Sequence, residues 1–206
     1  MARNENFVLN FINELFYSPN FALDIGANHG IYTTVLANKF SKVYSFEPHP
    51  DNIKIIKEKL EKNNIKNVVL EQKAISKSNG IIDLFINKSN HGGHSIVEQL
   101  VDCGRWGYLR ENSIKVETVT IDDYCKDKKI DFIKCDIEGG EIEIFYTAVH
   151  TLKNNDIKII LETHQVEYDW NILKQFFKDL GYEFFSTSGS PISNIVFDTH
   201  YLIKRI

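Results

Sequence analysis

The sequence predicts an α/β fold: a Rossmann-like, doubly wound, mostly parallel sheet that ends in an antiparallel pair of strands. Three observations carry this expectation. Short apolar runs alternate with amphipathic segments, as in parallel strands joined by helices. Each of the first five runs leads into an acid or amide, at Asp24, Glu47, Glu71–Gln72, Asp136 and Glu162. After Gly181 the pattern changes to two apolar runs flanking the turn-forming stretch Ser188-Gly189-Ser190-Pro191, which reads as a hairpin-like end to the sheet.

Taken in order, Phe7, Val8, Phe11, Ile12 and Leu15 recur at helical spacing and predict a helix over about 4–17, stopped before Pro19. Strands are expected at 21–23, 43–46, 68–70, 130–135 and 157–161. Ile53, Ile56 and Leu60 form the apolar face of a helix opening at Pro50 and Asp51. Ile142, Phe145, Tyr146 and Val149 mark a further helix, and Trp170, Leu173, Phe176, Phe177 and Leu180 another, closed by Gly181. The last strands are expected at 182–187 and 195–203. A polar insertion over about 87–112, containing His91-Gly92-Gly93-His94, is placed over the ligand edge of the sheet. With no Pro/Gly/Ser-rich linker and no repeat in 206 residues, a single domain over 1–206 is expected.

Composition narrows the function classes. A hydrophobic content of 43% is that of a globule. The net charge is −4 and the lysines are scattered, as at Lys54, Lys57, Lys59 and Lys62, which argues against a nucleic-acid partner. No run approaches the roughly 20 apolar residues of a membrane span, and the N-terminal segment carries acids instead of a signal-peptide core. The cysteines Cys103, Cys125 and Cys135 show no CxxC spacing. A cytoplasmic location follows as the expectation.

In doubly wound sheets the ligand lies outside the carboxyl ends of the strands. One acid there is ordinarily a helix cap; five on one edge read as a site. In Leu23-Asp24-Ile25-Gly26-Ala27-Asn28-His29-Gly30, the two glycines permit a tight turn with close backbone approach, and Asn28 tolerates a left-handed conformation. A helix opening near Gly30 points its free N–H groups toward the ligand. Glu47 is placed to accept hydrogen bonds from ribose hydroxyls. Asp24 would repel a pyrophosphate, and the glycine spacing departs from G-x-G-x-x-G. A cationic nucleoside such as S-adenosylmethionine suits the loop better.

Asp24 through Gly30, Phe46-Glu47-Pro48, Ala74-Ile75-Ser76, Val119-Thr120-Ile121-Asp122-Asp123, Lys134-Cys135-Asp136-Ile137-Glu138-Gly139-Gly140-Glu141 and Leu161-Glu162 together resemble the FkbM family of methyltransferases. The resemblance covers roughly 20–165. It implies a class I S-adenosylmethionine-dependent enzyme, most often an O-methyltransferase acting on sugars or secondary metabolites. By that resemblance Asp24, Gly26 and Gly30, with Asn28 in the same loop, hold the methionine end. Glu47 holds the ribose, the stretch from Gln72 to Ala74 the adenine, and Asp136 sits beside the transferring methyl.

A hydroxyl acceptor gains from a general base, and the catalytic candidates are Asp136, Glu138 and His164. His91 or His94 joins them if the insertion folds over the pocket. The acceptor is expected to be a glycan or small molecule, and Trp106 and Tyr108 either stack on a sugar ring or pack as a lid. Asp136-Ile137-Glu138-Gly139 differs from the Asn/Asp-Pro-Pro-aromatic run usual in nucleobase amino methylation, which favours oxygen as acceptor. Cys135 reads as core. No metal is expected, although Asp136, Glu138 and Glu162 offer oxygen ligands, and His91 and His94 with a carboxylate would suit a transition ion. Two alternatives stay open: a nicotinamide-dependent oxidoreductase on a similar sheet, and a non-catalytic S-adenosylmethionine-binding module. The apolar face of the N-terminal helix covers either its own sheet or a second subunit.

Overall fold

The computed structural model describes residues 3–15, 17–87, 94–96, 110–164, 169–196 and 199–206. Helix α1 (Arg3–Glu14) precedes β1 (Ser18–Ile25), α2 (Ile31–Ala37), β2 (Phe40–Phe46), α3 (Pro50–Lys62) and β3 (Val68–Glu71). Then come β4 (Ala74–Ile75), β5 (Gly80–Asn87) and β6 (Arg110–Val119), followed by α4 (Ile121–Cys125) and β7 (Ile130–Cys135). The chain continues through α5 (Glu141–Tyr146), α6 (Val149–Asn154), β8 (Lys158–Thr163), α7 (Trp170–Asp179), β9 (Tyr182–Phe185) and β10 (Thr199–Arg205).

Seven strands form one sheet in the order β3-β2-β1-β7-β8-β10-β9. The first five of these run parallel, while β10 is antiparallel to both β8 and β9. This is the expected doubly wound arrangement with an antiparallel end. The strand order reverses between β1 and β7, which makes the space beyond Ile25 and Cys135 the switch point where such sheets bind ligands. A second, three-stranded sheet, β4-β6-β5, stands over that edge. Its antiparallel β5 and β6 are the two arms of the expected insertion. The middle of the insertion, with His91, Gly92, Gly93, Cys103, Trp106 and Tyr108, lies outside the described residues.

Alternation along the strands divides the core in two, as the period of two demands. Leu23, Ile25, Ile133 and Leu161 face one layer, where Phe177 of α7 packs against Phe145, Phe176, Tyr182 and Phe184. Ala22, Val43, Phe132 and Ile160 face the other, where Val8 and Ile12 of α1 are fully buried. The N-terminal helix therefore covers its own sheet.

Several boundaries differ from the sequence expectation, three of them for reasons the contacts show. Helix α1 ends at Glu14, short of 17, because the Lys39 ammonium takes the terminal carbonyls of Asn13 and Leu15 at 2.6 and 3.1 Å and β1 begins at Ser18. The run from Ile142 to Val149 is two helices. Thr147 returns its hydroxyl to the Ile144 carbonyl, and Asp122 caps α6 by accepting from the N–H groups of His150 and Thr151. Ile195 and Val196 lie outside the final strand, which starts at Thr199. Val196 instead donates its N–H to the Tyr201 hydroxyl at 2.7 Å.

The β1–α2 loop fixes how closely the strand ends meet. Gly26, Asn28 and Gly30 all have positive φ, at 78°, 51° and 71°. A Cβ on Gly26 would stand 1.9 Å from the Asp136 carbonyl oxygen, whereas one on Gly189 (φ 81°) would meet nothing within 4 Å. Gly26→Ala is therefore expected to destabilise by more than about 3 kcal/mol, because a backbone clash adds to left-handed strain. Gly189→Ala should cost only the strain, about 1–2 kcal/mol. Urea unfolding of both variants checks the difference.

Candidate active site

The β1–α2 loop is built on the end of β2. The N–H groups of Gly26 and Ala27 both bond to the Phe46 carbonyl, at 3.1 and 3.0 Å. Glu47 follows Phe46, is 5% exposed, and accepts from the N–H groups of Asn28 and His49 at 2.8 Å each. Burial pushes its carboxyl up to about 7 against those hydrogen bonds and one from Asn52. A carboxylate has about four acceptor positions, so Glu47 keeps capacity for a ligand. It borders an open cavity of about 650 Å³.

That cavity joins most of the residues expected from sequence. Gly26, Asn28, Glu47 and Ala74 border it on one side, and Asp136 and Glu138 on the other. Asp24, Gly30 and His164 do not border it, and Gln72 lines a neighbouring groove together with Pro48 and Lys115. Asp24 is fully buried beneath the loop, where its Oδ2 accepts the Thr33 hydroxyl at 2.5 Å; that hydroxyl also lies 2.9 Å from the hydroxyl of Ser45. Burial raises the Asp24 carboxyl above its usual range, against the pull of Lys134.

Lys134 was not singled out by the sequence, although a lysine inside the apolar run Ile130-Asp131-Phe132-Ile133-Lys134-Cys135 was a signal. Its register partner on β1 is Asp24, and its side chain is 1% exposed. The ammonium lies 2.9 Å from Asp136 Oδ2, 3.4 Å from the Gly26 carbonyl and 4.7 Å from the centre of the Tyr32 ring. Burial opposes its charge, but Asp136 and Asp24 hold it firmly cationic. Against desolvation, Lys134 and His164 hold Asp136, 27% exposed at the cavity wall, down at about 2.

His164 extends from the end of β8 toward the same carboxylates. Its Nδ1 is 2.7 Å from Oε1 of the fully buried Glu141, and its Nε2 lies 3.7 Å from both Asp136 Oδ1 and Glu138 Oε2. Burial works against the imidazolium, yet Glu141, Glu138 and Asp136 raise it to about 10. Burial likewise lifts Glu138 to about 7. Of the three catalytic candidates, Asp136 is ion-paired to Lys134, His164 stands 3.7 Å from the carboxylates of Asp136 and Glu138, and Glu138 borders the cavity.

The second sheet closes the cavity from above. Ser95 donates its hydroxyl to the Glu138 carbonyl, and Ile96 packs where a Cβ on Gly140 would stand, 3.2 Å from its Cδ1. His94, which accepts the Asn87 N–H, stacks on His49 with ring centres 4.4 Å apart. Sequence reasoning placed the insertion here but did not assign Ser95, Ile96 or Asn52 to the site. The sequence pattern gave no signal for which insertion residues reach down.

Lys134→Met leaves the fully buried Asp24 and the partly exposed Asp136 without their shared cation, so a loss of about 3–5 kcal/mol is expected. Chemical denaturation checks it.

The described helices include none long and apolar enough to cross a membrane. The structure is similar to an FkbM methyltransferase from Methylobacillus flagellatus KT, with TM-score 0.59, 17% identity and 91% of this chain aligned. This chain spans 44% of that protein's length. An rRNA methylase from Streptococcus thermophilus shares the fold at TM-score 0.54 and 12% identity, covering 100% of this chain and 99% of that one. A precorrin-8w decarboxylase from Methanobacterium thermoautotrophicum does so at 0.54 and 17%, over 100% and 91%. Comparison with curated proteins gives no match. At such identities the structures speak for the fold alone. The model of the methyltransferase FkbM domain matches residues 24–184, and the chain belongs to that family.

Proposed function

We propose that this chain is an S-adenosylmethionine-dependent O-methyltransferase acting on a hydroxyl of a sugar or small metabolite. The observation that carries the proposal is one cavity with Gly26, Asn28 and Glu47 on one wall and Asp136 and Glu138 on the other. Glu47 takes the ribose hydroxyls, and Ala74 packs on the adenine with Gln72 at its rim. The turn from Gly26 to Gly30 receives the methionine end, with Asp24 acting from beneath by way of Thr33. Methyl transfer needs an in-line approach, so alignment supplies much of the rate. The acceptor hydroxyl lies against Asp136 and Glu138, and Glu138 receives its proton. The free, buried Cys125 and Cys135 fit a cytoplasmic enzyme.

Calorimetric titration with S-adenosylmethionine, S-adenosylhomocysteine and NAD⁺ tests the cofactor. Micromolar binding of the first two and none of NAD⁺ is expected; binding of NAD⁺ alone would overturn the assignment. Ribose hydroxyls donate to ionised Glu47, so affinity should rise as pH passes upward through about 7. Below that point the ionised fraction falls about tenfold per pH unit. Glu47→Gln should bind more weakly and lose this pH dependence. Glu138→Gln should lower turnover about a hundredfold or more while cofactor affinity stays unchanged, as read by single-turnover methylation of a sugar panel beside the same titration.

A further inference from the structure

Beyond the cofactor cavity, register sets three polar side chains in a row across the carboxyl edge of the sheet. Cys135 of β7 pairs with Leu161 of β8, which puts Asp136 beside Glu162, and Glu162 in turn pairs with His200 of β10. His164, two residues beyond Glu162, projects from the same face. Asp136, Glu162 and His164 each offer one ligand atom, and these atoms lie within 4.8 Å of one another.

Two observations point to a ligand at this place. The first concerns His200, which is 2% exposed. Its Nε2 lies 3.0 Å from Glu162 Oε2 but outside hydrogen-bond geometry, and among the described residues neither ring nitrogen has a hydrogen-bond partner. A buried imidazole is ordinarily satisfied. The second concerns His164. Glu141 holds its Nδ1, while its Nε2 stands 3.7 Å from two carboxylates, beyond direct hydrogen bonding. A carboxylate on the far nitrogen is the usual orientation of a metal-ligating histidine. Carboxylates crowd the place: Glu138 Oε2 and Glu141 Oε1 lie 3.7 and 2.7 Å from the His164 ring nitrogens.

We propose that Asp136, Glu162 and His164, with His200 alongside Glu162, form a site for one first-row divalent transition ion. The imidazoles favour Mn²⁺, Fe²⁺, Co²⁺ or Zn²⁺ over the all-oxygen preference of Ca²⁺ and Mg²⁺. Asp136 also borders the cavity, so the ion would draw an acceptor hydroxyl to that wall and lower its pKa. This last consequence rests on the proposed function; binding of the ion does not.

The test uses the full chain stripped with EDTA, titrated with Mn²⁺ and with Zn²⁺ in the absence of S-adenosylmethionine. One ion per chain is expected, with a raised unfolding temperature, and Glu162→Gln and His164→Gln should each weaken binding at least tenfold. Electron spin-echo spectra of the wild-type Mn²⁺ complex should show imidazole nitrogen coupling, a readout that needs no variant to fold. Absence of saturable binding, absence of nitrogen coupling, or affinity untouched in folded variants (an adventitious ion only) would each overturn the site. Cofactor titration on the metal-free protein reads the proposed function separately, so the failure of either leaves the other standing.

Discussion

A single ammonium, that of Lys134, holds the centre of this molecule together. It lies in the interior with Asp24 of β1 as its register partner and Asp136 at the end of its own strand. Without it, the fully buried Asp24 would sit in a low-dielectric interior beneath the β1–α2 loop, and Asp136 beside it would lose its ion pair. With it, Asp136 remains ionised in the wall of the cavity, and the Gly26 carbonyl gains a donor. Electrostatics inside the sheet and chemistry at its edge thus share one charge.

The two sheets divide the work. The large sheet supplies the fixed groups: Glu47 pinned by two backbone N–H groups, Asp136 pinned by Lys134, and a loop whose positive φ angles bring Gly26 against Asp136. The small sheet supplies a roof through Ser95 and Ile96. Groups that must be placed to within fractions of an ångström stand on strand ends. Ser95 and Ile96 reach the same cavity from the insertion.

Much of this was legible in the sequence, for physical reasons. Alternating apolar runs gave the strand positions because burial on both faces leaves no other pattern. Two of the strand-end acids, Glu47 and Asp136, border the cavity, because a parallel sheet brings its carboxyl ends to one edge. Other parts were not legible. The break at Thr147 depends on Asp122, which reaches α6 from α4. Asp24 read as a ligand contact, yet it lies beneath the loop, because strand alternation turns it toward Thr33 and away from the cavity. His200 meets Glu162 only through the antiparallel register of β10 on β8, which local periodicity does not encode.

The contact between Ser95 and the Glu138 carbonyl has a wider consequence. A neutral hydrogen bond contributes on the order of 1 kcal/mol net, far less than the forces that hold Glu47 or Asp136. Seen as a clasp, it ties the small sheet to the end of the large one beside the cavity. Substitutions at positions 95 and 96 can therefore alter how the small sheet meets the cavity, while Glu47 and Asp136 on the strand ends below stay as they are.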